Sequence, residues 1–336
     1  VSVRRATSLT AVFAAAFTVL PIAGAVRTRP LTAQPAPAAA APELPVAVPD
    51  EQWTPLYDRV DPALQEALGR ALDRNPARRA LIRKRLLAVG VVDLTDPARP
   101  RFARVNGNVM MYAASLPKIA VLLTAYQAFE DGVLEETPEV HEDLGAMIRI
   151  SSNEAATAVI DRLGFDHIAA TMTDSRYKLY DKSRGGGLWV GKRYAKKGAR
   201  RGDPLLNISH AATATQVCRL YYLLAAGRVI SPERSRQMLE DLADPGLHHK
   251  FVSVVEKRAP RARLFRKSGT WKVWHSDSIL VWGPDWRRYI LVAMVESSVG
   301  ESILRDLVPV AEEVLRPSIL ADGDDVELAA AEAVTR

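Results

Sequence analysis

Residues 263–296 read RLFRKSGTWKVWHSDSILVWGPDWRRYILVAMVE. Arg263 to Ser268, Ser276 to Gly283 and Tyr289 to Val295 are rich in β-branched, aromatic and other apolar residues, the composition of strands. Gly283-Pro284-Asp285 supplies a turn between the last two. Near the other end of the chain, Ala88 to Leu94 reads as one more apolar strand. Arg101 to Asn106 and Val109 to Tyr112 predict a hairpin about Asn106-Gly107. The residues between these strand groups follow a helical period. The pattern predicts helices over Ser115 to Phe129, Leu144 to Ile150, Glu154 to Leu163, Ala211 to Ala226 and Pro232 to Leu242. A helix from Asp61 to Arg85, broken at Asn75-Pro76, precedes the first strand, and an amphipathic helix from Glu301 to Leu315 follows the last. Strands from both ends must then share one sheet, with the helical block inserted between them, an α+β arrangement.

The 336 residues are 48% hydrophobic and 25% charged, which is ordinary globular composition. Residues 1–25 read as an export signal: Arg4 and Arg5, an apolar run from Leu9 to Ile22, then Ala23-Gly24-Ala25. That predicts a bacterial protein that is periplasmic or secreted. Residues 26–52 are Pro/Ala-rich and predict a disordered linker, and residues 317–336 predict a disordered acidic tail. The folded part is expected over 53–316, with a sheet portion (53–113 plus 231–316) and a helical portion (114–230). Cys218 is the one cysteine and sits in an apolar helical pattern, so it reads as a small core residue. No His/Cys cluster has metal-ligand spacing, and Gly185-Gly186-Gly187 lacks the ending of a phosphate loop; no metal or organic cofactor is implied.

Three short motifs occur in order. In Ser115-Leu116-Pro117-Lys118 the serine and lysine lie three apart, on one face of a helix, with the proline fixing the serine at the helix start. A serine needs a base beside it to become a nucleophile, and a desolvated lysine can be that base. Alone the pair is weak, because such spacing recurs by chance. Ser151-Ser152-Asn153 precedes a helix and suits an N-cap as well as a polar site. Lys267-Ser268-Gly269-Thr270 ends a strand, with a glycine that permits close backbone approach.

Together the three motifs resemble the Ser-x-x-Lys, Ser-Asp-Asn and Lys-Thr-Gly set of class A β-lactamases and penicillin-binding proteins. Serine replaces aspartate in the second motif and threonine in the third. The resemblance spans roughly Leu87 to Leu315 and includes SSNEAATAVIDRLG from Ser151 to Gly164. It implies a serine β-lactamase/transpeptidase-like fold: a five-stranded, mostly antiparallel sheet with flanking helices and an inserted all-helical domain. It also implies acyl transfer from an amide through Ser115, with Lys118 as general base and Ser151 as proton shuttle. By the same resemblance Asn153, Lys267, Ser268 and Thr270 bind substrate, and the backbone N–H groups of Ser115 and Thr270 form an oxyanion hole. The expected substrate is a small molecule or peptide with a carboxylate, handled by a monomer. The alternatives are a D,D-peptidase or transpeptidase and a non-turnover binding protein.

The sequence departs from that pattern. No glutamate occurs between Glu154 and Glu233, where class A β-lactamases place the residue that positions the hydrolytic water. Asp203, in Asp-Pro-Leu-Leu-Asn, is a doubtful substitute, since Asp-Pro also reads as a plain turn. Residues 176–201 hold ten basic residues against one aspartate, a net +9 in a chain of net +6. This segment predicts either a solvated, flexible flap or a surface for an acidic substrate or anionic cell-envelope polymer. Its interleaved aromatics also suit single-stranded nucleic acid, a partner that an export signal argues against.

Overall fold

A computed structural model describes residues 42–316. The predicted signal and acidic tail lie outside the described residues. In chain order, α1 (Pro62–Asp73) and α2 (Pro76–Arg83) lead into β1 (Leu87–Asp93), β2 (Arg101–Val105) and the short β3 (Met111–Tyr112). Then come α3 (Lys118–Glu130), α4 (Pro138–Arg149), α5 (Asn153–Leu163) and α6 (Phe165–Thr173). Short strands follow: β4 (Tyr180–Asp181), β5 (Gly186–Gly187), β6 (Trp189–Val190) and β7 (His210–Ala212). The chain closes with α7 (Ala214–Ala225), α8 (Pro232–Leu242), α9 (Phe251–Arg258), β8 (Arg263–Trp271), β9 (Trp274–Trp282), β10 (Arg288–Glu296) and α10 (Gly300–Leu315).

The five-stranded sheet runs β2-β1-β10-β9-β8, each neighbouring pair antiparallel. Strands from the two ends of the sequence therefore meet where β1 pairs with β10. Every residue of β1 is buried, because both faces are covered. Ala88 and Val92 pack toward the helical block, while Leu87, Val89 and Val91 pack toward α1, α9 and α10. Gly90 faces Cys218, and a Cβ there would lie 2.7 Å from its Sγ. Cys218 thus fills core space that a larger residue could not share. In α3 the whole run from Lys118 to Phe129 is buried, as in a helix surrounded by protein.

Several expectations need correction. The hairpin about Asn106-Gly107 does not form. Asn106 turns the chain at φ 52°, and its Nδ2 donates to Ile82 O (2.8 Å) and Leu87 O (2.9 Å), tying the turn to the start of β1. β2 pairs with β1, and β3 leaves to pair with β7. The helix expected from Ser115 begins at Lys118. Residues 42–52, read as linker, pack on the body: Leu44 and Val48 are buried and Val46 N donates to Ala225 O at 2.8 Å. The basic segment is no loose flap, since Tyr177, Tyr180 and Trp189 are core residues. The sequence pattern gives no sign of α6 and α9; both are short, α6 following α5 after Gly164 alone and α9 lying between irregular stretches.

A buried ion pair between β8 and β9 also holds the loop before α9. Arg266 Nε lies 2.7 Å from Asp277 Oδ1, with both side chains almost fully enclosed. Arg266 also donates to Leu247 O (3.0 Å), and Asp277 accepts from Phe251 N (3.0 Å). Removing one member of such a pair strands the other charge, at a cost of about 3–5 kcal/mol. Asp277→Ala should lose that much stability in denaturant unfolding. A loss below about 1 kcal/mol, the range of an exposed pair, would show that the ion pair does not clamp this edge.

Candidate active site

Ser115 lies in the turn between β3 and α3. Ala114 before it takes a left-handed conformation (φ 50°), and tight turns at Leu116, Lys118 and Ile119 lead into the helix. Half-buried Ser115 is thereby presented at the mouth of α3, where unpaired N–H groups favour negative charge. Its backbone N–H has no partner among the described residues.

The Lys118 side chain is 0% exposed. Its ammonium donates to Ser151 O (2.7 Å), Ser152 O (3.1 Å) and Asn153 Oδ1 (2.9 Å), and more distantly to Ser151 Oγ (3.4 Å). None of these acceptors is a carboxylate. Burial without a compensating negative charge brings the Lys118 pKa down from 10.5 to about 7. The Tyr194 ring covers it, with its centroid 4.5 Å from Nζ.

Ser151 is the meeting point of the three motifs. It too is left-handed (φ 60°), which turns its hydroxyl inward. Lys267 Nζ donates to Ser151 Oγ at 2.9 Å and to Ser268 O at 3.0 Å. Lys267 is 1% exposed, and burial, aided by the positive charges of Lys118 and Arg266, holds its pKa well below the usual lysine value. Ser152 performs the N-cap duty for α5, accepting from Ala155 N at 3.1 Å. That leaves Ser151 and Asn153 to face the lysines.

The end of β8 closes the other side. A Cβ on Gly269 would lie 2.3 Å from Ala113 O and 2.6 Å from Ser115 N, so only glycine lets the strand pass the serine turn. Ser276 Oγ, on β9, fastens the same turn by donating to Ala113 O at 2.7 Å. Ser268 is buried, whereas Thr270 is exposed on the rim. Behind it stands Lys250, which no motif singled out. It is 0% exposed and donates to Gly269 O (2.6 Å), Thr270 Oγ1 (2.8 Å) and Ser276 O (3.0 Å), with its pKa lowered by burial to about 8.

Two further residues come from the basic segment and its continuation. Tyr194 Oη donates to Ala114 O at 3.3 Å, and its ring lies against His210 with centroids 4.3 Å apart. Burial lowers the His210 pKa to about 4, so its ring is neutral at pH 7. Asp203 faces elsewhere. Its carboxylate accepts from Tyr180 Oη (2.9 Å) and from the N–H groups of Leu205 (2.9 Å), Leu206 (3.0 Å) and Ile208 (2.6 Å), organising its own loop. The structure thus brings Ser115, Lys118, Ser151, Asn153, Lys267, Ser268 and Thr270 together and leaves Asp203 apart. Among the described residues, no group of histidine, cysteine or carboxylate side chains could hold a metal ion.

A family model described as the beta-lactamase enzyme family matches residues 134–308, which hold the second and third motifs. A search of curated proteins finds no match. Among solved structures, the fold is similar to a beta-lactamase from Sphaerobacter thermophilus: TM-score 0.57, 17% identity, 78% of this chain and 98% of that one. PBP-A is similar at TM-score 0.55 and 18% identity, over 76% of this chain and 96% of that one. A PBP-A mutant in an acyl-enzyme complex with penicillin G gives TM-score 0.54 and 18% identity, over 75% and 94%. At these identities the structural likeness concerns the fold.

The geometry makes a direct prediction about Lys118. Its Cε resonance in the lysine-labelled protein should titrate with a midpoint near 7. A midpoint near the ordinary 10.5 would mean that the ammonium is better solvated or compensated than its surroundings indicate.

Proposed function

This chain belongs to the beta-lactamase enzyme family, and on that premise we propose that it transfers an acyl group from an amide to Ser115. The observation that carries the reading is a buried lysine, one turn from a serine, with no carboxylate to hold its charge. Near pH 7 an appreciable fraction of Lys118 is neutral. The neutral amine takes the Ser115 proton as Oγ attacks the carbonyl carbon. Negative charge then develops on the carbonyl oxygen, between the N–H groups of Ser115 and Thr270. Preorganised donors of this kind supply several kcal/mol where charge develops.

The carbon–nitrogen bond breaks next. Ser151 gives its hydroxyl proton to the leaving nitrogen and recovers one from the lysine ammonium groups around it. Its position between Lys118 and Lys267 supports this shuttle. Asn153 orients the acyl amide, while Ser268 and Thr270 receive a substrate carboxylate. Lys267, whose ammonium is turned to Ser151, aids binding through its charge when protonated rather than by reaching into the cleft.

The acyl-enzyme so formed is an ester that needs a positioned water to leave. No carboxylate is hydrogen-bonded to Lys118, Ser151 or Lys267 among the described residues, and Tyr194 covers Lys118. This favours the slow release of a penicillin-binding protein over rapid β-lactam hydrolysis. The natural donor is then a β-lactam or a cell-wall peptide bearing a carboxylate. An anionic cell-envelope polymer suits the basic segment, and an exported location suits the basic-then-apolar N terminus.

Intact-mass spectrometry with a penicillin tests the reading: the wild-type protein should gain one penicilloyl group and Ser115→Ala none. Labelling that survives the substitution would remove Ser115 as nucleophile. The acylation rate should rise with pH and level off above about 7, since the proton-free form of Lys118 is the active one. A rate that falls across that range would contradict Lys118 as base. Once formed, the adduct should persist, because a missing positioned base typically costs about 10²–10⁴ in rate. Rapid return of the unmodified mass, lost in Asp203→Asn, would make Asp203 the base after all.

A further inference from the structure

A cleft of about 810 Å³ opens beside the serine turn, between Asn153, the chain from Lys192 to His210, and Trp271 and Trp274. Its lining does not include Ser115 or Lys118, nor Ser151, Lys267, Ser268 and Thr270, where the leaving nitrogen and carboxylate are placed. It adjoins the other half of the site: Asn153 holds Lys118, Tyr194 reaches Ala114 O, and Trp271 follows Thr270. The acyl portion of a substrate on Ser115 would therefore occupy it.

The walls have a definite chemistry. The aromatic lining is Tyr112, Tyr194, the neutral His210, Trp274 and Trp271, the last 55% exposed. The cationic lining is Lys192, Arg193, Lys196 and Arg200. No aspartate or glutamate lines the cleft. Arg193, which also lines the cleft, is matched with Asp161, as Arg201 outside it is with Asp166. Lys192, Lys196 and Arg200 have no carboxylate partner among the described residues, and Arg200 is held in place through Asn207 Oδ1 at 3.0 Å. Three cations without a carboxylate partner thus share one cleft whose lining holds no aspartate or glutamate.

We infer that this cleft is a subsite for an acyl group bearing both a planar or apolar portion and an anionic group, such as a second carboxylate. The inference rests on the acyl-transfer reading for its place in the reaction, but its ligand recognition can be measured without acylation. Ser115→Ala protein is titrated at low ionic strength with phenylacetamide, phenylacetate and phenylmalonate, following tryptophan fluorescence. These probes share the ring and carry zero, one and two carboxylates.

Phenylmalonate should bind roughly tenfold or more tightly than phenylacetamide, as a charge-assisted contact implies. The preference should shrink with added salt and collapse in the K192E/K196E/R200E variant, whose fold is checked by its melting temperature. If that variant fails to fold, the salt dependence of the parent protein decides, since exposed charges are screened within about 8–10 Å at 0.1–0.15 M. Equal binding of the three probes, or a salt-insensitive order, would overturn the subsite. Failure of penicillin labelling with this order intact would instead overturn the acyl-transfer reading alone.

Discussion

Two lysine ammonium groups are buried against a single serine hydroxyl. Lys118 and Lys267 both approach Ser151 Oγ, at 3.4 and 2.9 Å, and neither has a carboxylate among its hydrogen-bond partners. Burial disfavours the charged form of both, and for Lys267 the charge of Lys118 adds to that, so the site is driven to release a proton, Lys118 at about pH 7. That proton deficit is what a serine nucleophile requires. Lys250 adds a third buried lysine behind the same strand, and the buried carboxylate of Asp277 is already committed to Arg266.

The fold exists around this constraint. α3, buried from Lys118 to Phe129, carries Lys118, and the antiparallel β8 brings Lys267 to the same point from the far end of the chain. The connecting residues adopt sparsely populated backbone. Ala114, Ser151 and Lys250 are all left-handed without being glycine, and each sits next to a reacting or positioning group. Such conformations persist only where surrounding contacts over-determine them. Here those contacts include Ser276 to Ala113, Ser152 capping α5, and Gly269 laid against the serine turn.

Much of this was legible in the sequence because it is local. The apolar composition of residues 263–296, with a turn at Gly283-Pro284-Asp285, announces the strands, and Asn75-Pro76 marks where α1 gives way to α2. The three motifs carry their spacing with them. What was not legible depends on pairing across long separations. The Asn106-Gly107 signal is a true turn, but its strand partner is chosen by Asn106 bonding to Ile82 and Leu87 and by β7 meeting β3. Lys250 has no motif because its role comes from lying under Thr270. Tyr194 and His210 sit in or just beyond a segment whose composition reads as solvated, and only packing shows its aromatic residues turned to the core and the cleft.

The central claim is that Ser115, activated by an uncompensated lysine, becomes covalently acylated. A crystal structure of the protein after exposure to a penicillin tests it most directly. The account predicts a covalent bond from Ser115 Oγ to the opened ring's carbonyl carbon, its oxygen between the N–H groups of Ser115 and Thr270, and its acyl side chain against Trp271 and Trp274. An intact penicillin, a bond to any other residue, or a carbonyl oxygen turned away from those two N–H groups would contradict it.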